Sequence, residues 1–159
     1  MRYLIIAISV LLLFSQCEKF PMDRKYSLFL KNNSGDSLFC YIALGVGKGA
    51  NAPLYPDTLL EKIVIDYDYG VIGVEENAIL HESSVKWKSY FQELPQDTLS
   101  IYLFSLDTLK SNTWEDVQAG YKILKRYDLS LEDLEYLDYK LSYPPDAKMS
   151  GVKMYPTYP

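Results

Sequence analysis

Leu99-Ser100-Ile101-Tyr102-Leu103-Phe104 is the stretch on which the fold turns. Six residues rich in β-branched, aliphatic and aromatic side chains, closed on the N-terminal side by Pro95 and Asp97, predict a strand. Its alternate positions make one aliphatic face (Leu99, Ile101, Leu103) and one partly aromatic face (Tyr102, Phe104). Neither face is polar enough for water, so the strand is expected to be covered on both sides.

Working outward from it, Tyr26 to Leu30 and Leu38 to Ile42 are two more β-favouring runs. They flank Asn32-Asn33-Ser34-Gly35-Asp36, and this pattern predicts a hairpin of antiparallel strands. Residues 45 to 61 hold Gly45, Gly47, Gly49, Pro53 and Pro56 and read as irregular. Shorter strands are expected at Lys62 to Asp66 and Gly70 to Glu75. A mixed segment with Trp87, Tyr90 and Phe91 leads to Pro95.

Beyond the central strand, Thr113 with Asp116 and Ser130 with Asp133 have capping-box spacing, so each opens a short helix. Trp114, Val117 and Tyr121 would face the core from the first, and Leu131, Leu134 and Leu137 from the second. Tyr121 to Leu129 reads as a strand between them. Lys140 to Tyr143 reads as another, ended by Pro144-Pro145, and Met149 to Tyr155 adds one more. The sum is α+β, an antiparallel sheet of about five to seven strands with two short helices, with an all-β sandwich as the alternative. Asp-Thr-Leu recurs at 57–59, 97–99 and 107–109. Its uneven spacing excludes a solenoid, and Asp is expected to mark turns feeding apolar segments.

The first residues carry a different message. Arg2 precedes Leu4 to Phe14, an apolar run of 11 residues. As a helix it would span about 16 Å, roughly half of a bilayer's hydrocarbon core, which suits the h-region of a signal peptide better than a span. The run ends in Leu13-Phe14-Ser15-Gln16-Cys17, which resembles the lipobox of bacterial lipoproteins, differing from its commonest form at Phe14 and Gln16. That resemblance implies cleavage before Cys17 and lipid on its thiol. Two or three acyl chains anchor a protein stably where one does not. The expected organisation is a signal peptide at 1–16, a lipidated N-terminus and tether at 17–25, and one globular domain at 26–159.

A second likeness lies downstream. Trp114-Glu115-Asp116-Val117, Tyr121 to Ser130 and Leu141-Ser142-Tyr143-Pro144-Pro145 are similar to small lipoproteins of Bacteroidota. The resemblance implies a cell-envelope setting, with the outer membrane as the expected anchor point, and carries no activity or catalytic residues with it.

Charge narrows the partners. The formal net charge is −5, and it becomes one unit more negative once Arg2 leaves with the signal. With no Lys/Arg cluster in the chain, nucleic acid and electrostatic docking on anionic lipid are both excluded. Membrane attachment is expected through lipid on Cys17. Cys40, the second of two cysteines, lies in an apolar run and reads as a buried, inert thiol.

The chemical motifs fail when tested against their mechanics. Gly45 to Ala50 has Ile42 where a phosphate loop needs its first Gly, and Gly49 where it needs Ser or Thr. Asp66-Tyr67-Asp68-Tyr69-Gly70 has Asn77 where a calcium loop needs Glu. His81 is the single histidine, which removes multi-histidine metal sites, and no nucleophile-elbow glycines flank Ser83 or Ser84. No cofactor is expected, and the domain reads as a non-enzyme.

Fifteen tyrosines are the compositional oddity. Tyrosine suits surfaces that bind by ring contact plus one hydrogen bond. Tyr55, Tyr67, Tyr69, Tyr155 and Tyr158, in loop-like or terminal stretches, are the expected binding residues for a protein or glycan partner. The leading expectation is therefore a lipid-anchored, non-catalytic binding or accessory domain. An envelope hydrolase acting on polysaccharide or peptidoglycan is the alternative, and a structural subunit without a ligand site is the third.

Overall fold

The computed structural model describes residues 26–43 and 70–158. The decisive stretch forms β5 (Leu99–Ser105), buried at six consecutive positions. It is the middle strand of a five-stranded antiparallel sheet whose order is β3 (Val71–Ile72), β2 (Leu38–Ala43), β5, β6 (Lys125–Leu129), β8 (Lys153–Tyr155). A smaller sheet has β1 (Tyr26–Asn32) in the middle. It pairs antiparallel with β4 (Asn77–Ser83) and parallel with β7 (Lys140–Tyr143).

The two faces of β5 separate two cores. Leu99, Ile101 and Leu103 join Leu28 and Leu30 of β1, Leu141 of β7 and Tyr127 and Leu129 of β6 in the principal core between the sheets. Tyr102 and Phe104 point the other way, with Phe39, Leu109 and Val117, into a second cluster. Helices α2 (Leu106–Ser111) and α3 (Trp114–Ala119) supply Leu109 and Val117 and so cover that face. The layers therefore run small sheet, core, large sheet, helices. Helices α1 (Trp87–Phe91) and α4 (Leu131–Tyr136) contribute Trp87, Phe91 and Leu134 to the principal core. The fold is α+β; among the described residues it has eight strands in two sheets and four short helices, more of each than the sequence predicts. The helices remove the all-β alternative.

Helices of five or six residues are too short to persist alone, so caps and packing hold them. Ser130 and Asp133 make a complete capping box on α4: Asp133 N–H donates to Ser130 Oγ (3.1 Å) and Ser130 N–H to Asp133 Oδ2 (2.9 Å). The Thr113 hydroxyl accepts from Asp116 N–H on α3 (3.2 Å). Val117 is buried, with Trp114 and Tyr121 packed beside it as expected. Helix α2 adds to the two helices that the sequence predicts; the Ser105 hydroxyl caps it by accepting from Thr108 N–H (3.3 Å).

The expected hairpin does not form. Its two strands, β1 and β2, lie in different sheets, and the Asn/Gly cluster is an arch between them. Asn32, fully buried, sets the arch. Its Nδ2 donates to the carbonyls of Asp36 and Gly73 (both 2.8 Å), and its Oδ1 accepts from Ser34 N–H (3.0 Å) and Ser34 O–H (2.6 Å). Since β4 and β7 already pair with both edges of β1, no edge remains for β2. Of the strand expected at Gly70 to Glu75, only Val71–Ile72 is extended, because Gly73 to Glu76 turns with Glu75 at φ 56°. Tyr121, at φ 45°, likewise breaks the strand expected to start there, which begins at Lys125. Asp97-Thr98-Leu99 feeds β5 through a turn as expected, whereas Asp107-Thr108-Leu109 lies within α2. The run Lys62 to Asp66 and the tripeptide at 57–59 lie outside the described residues.

Candidate functional site

Among the described residues the large sheet is covered on both faces and the small sheet on one. Along β1 the alternation puts Leu28 and Leu30 inward and Phe29 and Lys31 outward. Strand register then builds two rows across the open face. Ile79, Phe29 and Lys140 form one; Asn77, Lys31 and Ser142 form the other. Ile79 is 55% exposed and Phe29 half-buried, while Lys31, Asn77 and Lys140 are exposed.

An open groove of about 760 Å³ lies over this face, lined by Phe29, Lys31, Asn33, Asn77, Lys140 and Asp146 among others. That volume falls within the range of small-ligand sites. Lys140 Nζ sits 2.5 Å from Asp138 Oδ2, an exposed pair that holds the Asp138 carboxyl below its usual range. Lys31 has no carboxylate partner among the described residues. Asp146 Oδ1 accepts from Lys148 N–H (2.9 Å), capping the 3₁₀ segment Ala147–Gly151 at the groove's end. One ring, two ammonium groups, two side-chain amides and a carboxylate are thus available to a ligand, over strands of which β1 is paired on both edges and β7 on one.

On the outer face of the large sheet, Tyr41, Tyr102, Arg126 and Tyr155 lie in one cross-strand row. Arg126 is 1% exposed, with its guanidinium 5.1 Å from the Tyr102 ring centre. Its Nε donates to Asp128 Oδ1 (2.7 Å), and the Ser100 hydroxyl donates to the same oxygen (2.7 Å). Burial alone would lower the Arg126 pKa, but the Asp128 bond and the neighbouring charges outweigh it and keep the guanidinium above its usual range. The two buried charges offset one another, while Asp128 Oδ2 is buried without a hydrogen-bond partner among the described residues.

Of the sequence-derived binding residues, Tyr155 and Tyr158 are among the described residues, and they face different sides of the large sheet. Tyr155 projects from the outer face of β8, with its ring edge-on to Tyr121 at 5.4 Å. Tyr158 instead packs against the principal core and lines a shallow pocket with Val152 and Met154. Cys17, Tyr55, Tyr67 and Tyr69 lie outside the described residues, as do the loop at 45–50 and all of the acidic turn but Gly70.

His81 sits where a β-bulge in the β1–β4 pairing, between Leu28 and Phe29, turns it inward. Its ring lies 5.7 Å from Trp87 and 5.2 Å from Tyr90, and Nε2 has no hydrogen-bond partner among the described residues. Burial lowers its pKa, keeping the imidazole neutral. Ser83 Oγ accepts from Val85 N–H (3.0 Å), closing a local turn. Cys40 is buried and its thiol is pushed up to about 12 by desolvation, far from a nucleophile's range. Among the described residues no three His, Cys, Asp or Glu side chains gather as a metal site, and no helix is long and apolar enough to cross a membrane.

Sequence reasoning passed over Phe29, Lys31, Asn77 and Lys140. The alternation that turns Phe29 and Lys31 away from the core is readable in Leu28-Phe29-Leu30-Lys31, but their cross-strand neighbours come from residues 46 and 111 positions further along the chain. No protein-family model, curated protein or solved structure matches this chain.

Proposed function

We propose that this chain is a lipid-anchored protein of the cell envelope, held at the outer membrane through Cys17, whose domain binds a glycan without acting on it. Support for the anchor is the segment from Arg2 to Cys17. Support for binding is one observation, the open groove with the Phe29 ring on its floor and polar groups on its sides. A pyranose has an apolar face and a rim of hydroxyls, so an aromatic ring flanked by amides and a carboxylate matches it. A groove this small holds a few sugar rings, whereas a stable protein interface buries about 800 Å² on each partner.

An extended peptide would need free backbone groups at a strand edge, and the floor of this groove is made of side chains. Catalysis has less to draw on: His81 is enclosed by rings and Cys40 is protonated. Metabolic labelling with a palmitate analogue tests the anchor, with labelling expected on the native chain and lost in Cys17→Ala; a Cys17→Ala chain that still labels removes it. Retention of the full chain on immobilised polysaccharides tests the domain. Retention is expected to weaken in Phe29→Ala and to stay unchanged in Tyr158→Phe.

A further inference from the structure

We propose that the ligand of this groove is a sugar carrying a carboxylate, gripped by Lys31 and Lys140 on either side of the Phe29 ring. The inference rests on the glycan reading above and names the class of sugar. Phe29 pairs with Lys140 on β7, and Lys31 with Ser142, so the two lysines stand on a diagonal of the open face. Diagonal neighbours in a sheet are roughly 7–8 Å apart, and flexible stems let two ammonium groups converge on one anion between them. Lys31 is exposed and has no carboxylate partner among the described residues. Among the described residues Lys140 is held only by an exposed pair with Asp138, an interaction weak enough to exchange for a ligand.

The remaining groups select against other anions. Asp146 and Asp138 stand at the β7 side of the groove, so a phosphate bearing nearly two charges meets more repulsion than a carboxylate bearing one. Sugar hydroxyls supply donors for Asp146 and for the side-chain carbonyls of Asn33 and Asn77. Nucleic acid needs a basic track, and this acidic chain offers two lysines at one spot.

The test is calorimetric titration of the full chain in detergent with trigalacturonate and N-acetylmuramate, each against a neutral counterpart, trigalactose and N-acetylglucosamine. At least one acidic sugar is expected to bind at least about tenfold more tightly than its counterpart, because a hydrogen bond to a charged group is lost without it. Lys31→Gln, a change at an exposed side chain, is expected to erase that preference, as is added salt. Equal affinity for acidic and neutral sugars, or a silent Lys31→Gln, overturns the carboxylate while leaving the glycan groove standing. Tighter binding of galactose 6-phosphate than of galacturonate overturns it in favour of phosphate. If no sugar binds at about 10 mM, or if binding persists unchanged in Asn77→Ala and Phe29→Ala chains of native circular dichroism, the groove reading itself falls.

Discussion

Arg126 and Asp128, two residues apart on β6, hold one another through a 2.7 Å Nε–Oδ1 contact in which both side chains are 1% exposed. The pair lies on the outer face of the large sheet, beside Tyr102 and Ser100 of β5. Buried pairs of this kind add little net stability relative to apolar replacements, but losing one partner strands the other charge. Asp128→Ala should therefore destabilise the fold by about 3–5 kcal/mol, and Ser100→Ala by about 1 kcal/mol. An Arg126→Met, Asp128→Leu double variant should be less damaged than Asp128→Ala alone. Urea unfolding followed by circular dichroism checks the order; a double variant that is the weakest of the three would mean the pair is worth more than its burial costs.

Asn32 governs the arch between the sheets through four side-chain hydrogen bonds. Asn32→Asp keeps the shape but replaces two donations with a carboxylate facing the carbonyls of Asp36 and Gly73. Both Asn32→Asp and Asn32→Ala should cost about 3 kcal/mol, since buried carbonyls are left without donors. If the amide only filled space, the isosteric Asp variant would unfold at the native urea concentration.

Ser130→Ala removes the capping box from α4, a helix of six residues. The expected loss is about 1 kcal/mol, and its effect should be local before it is global. Amide hydrogen exchange should speed up through Leu131–Tyr136 while β5 keeps its protection. Uniform acceleration across both would show that α4 and the sheet open as one unit.

These elements differ in how far they could be read from the chain. The central strand was legible because both faces of Leu99 to Phe104 are apolar, and the capped helices because Thr113 and Ser130 carry their signal within four residues. The arch was not, because Asn32 to Asp36 looks the same whether the next strand returns to β1 or crosses to another sheet. What decides between them is the occupation of both β1 edges by β4 and β7, which is tertiary information. Strand β4 carries no clear signal in the sequence, because its bulge puts Leu80 and His81 on the same side and spoils the period of two. For the same reason the open groove was half-legible: Phe29 and Lys31 betray an outward face, but Asn77 and Lys140 join them only through the fold.

Cys40 provides a pH-dependent check on the principal core. Its thiol is raised from 9.0 to about 12 by burial alone. The folded state thus keeps its proton where the unfolded chain has lost it, so the stabilising difference is complete below pH 9 and declines as pH rises above it. The slope attributable to this group is about 1.4 kcal/mol per pH unit until the folded thiol titrates. Cys40→Ala should flatten that alkaline slope while lowering stability at neutral pH through the lost packing.

His81 makes the corresponding prediction on the acid side. Burial lowers its pKa, so the folded chain resists a proton that the unfolded chain accepts readily. Stability should hold above the unfolded value near 6.5 and fall as pH drops below it toward the folded value. His81→Phe keeps a ring against Trp87 and Tyr90 but cannot take the proton, so the part of the acid-side decline due to this group should vanish. Carboxylates contribute their own losses at lower pH, which makes the interval between pH 7 and 5 the informative one. The same variant should bind sugar as the native chain does, because His81 faces the core and Phe29 the groove on the opposite side of the sheet. Unfolding curves at several pH values, with titrations on the same samples, separate the two effects. An undiminished acid slope in His81→Phe would assign the decline to other groups, and lost binding in a folded variant would draw His81 into the site.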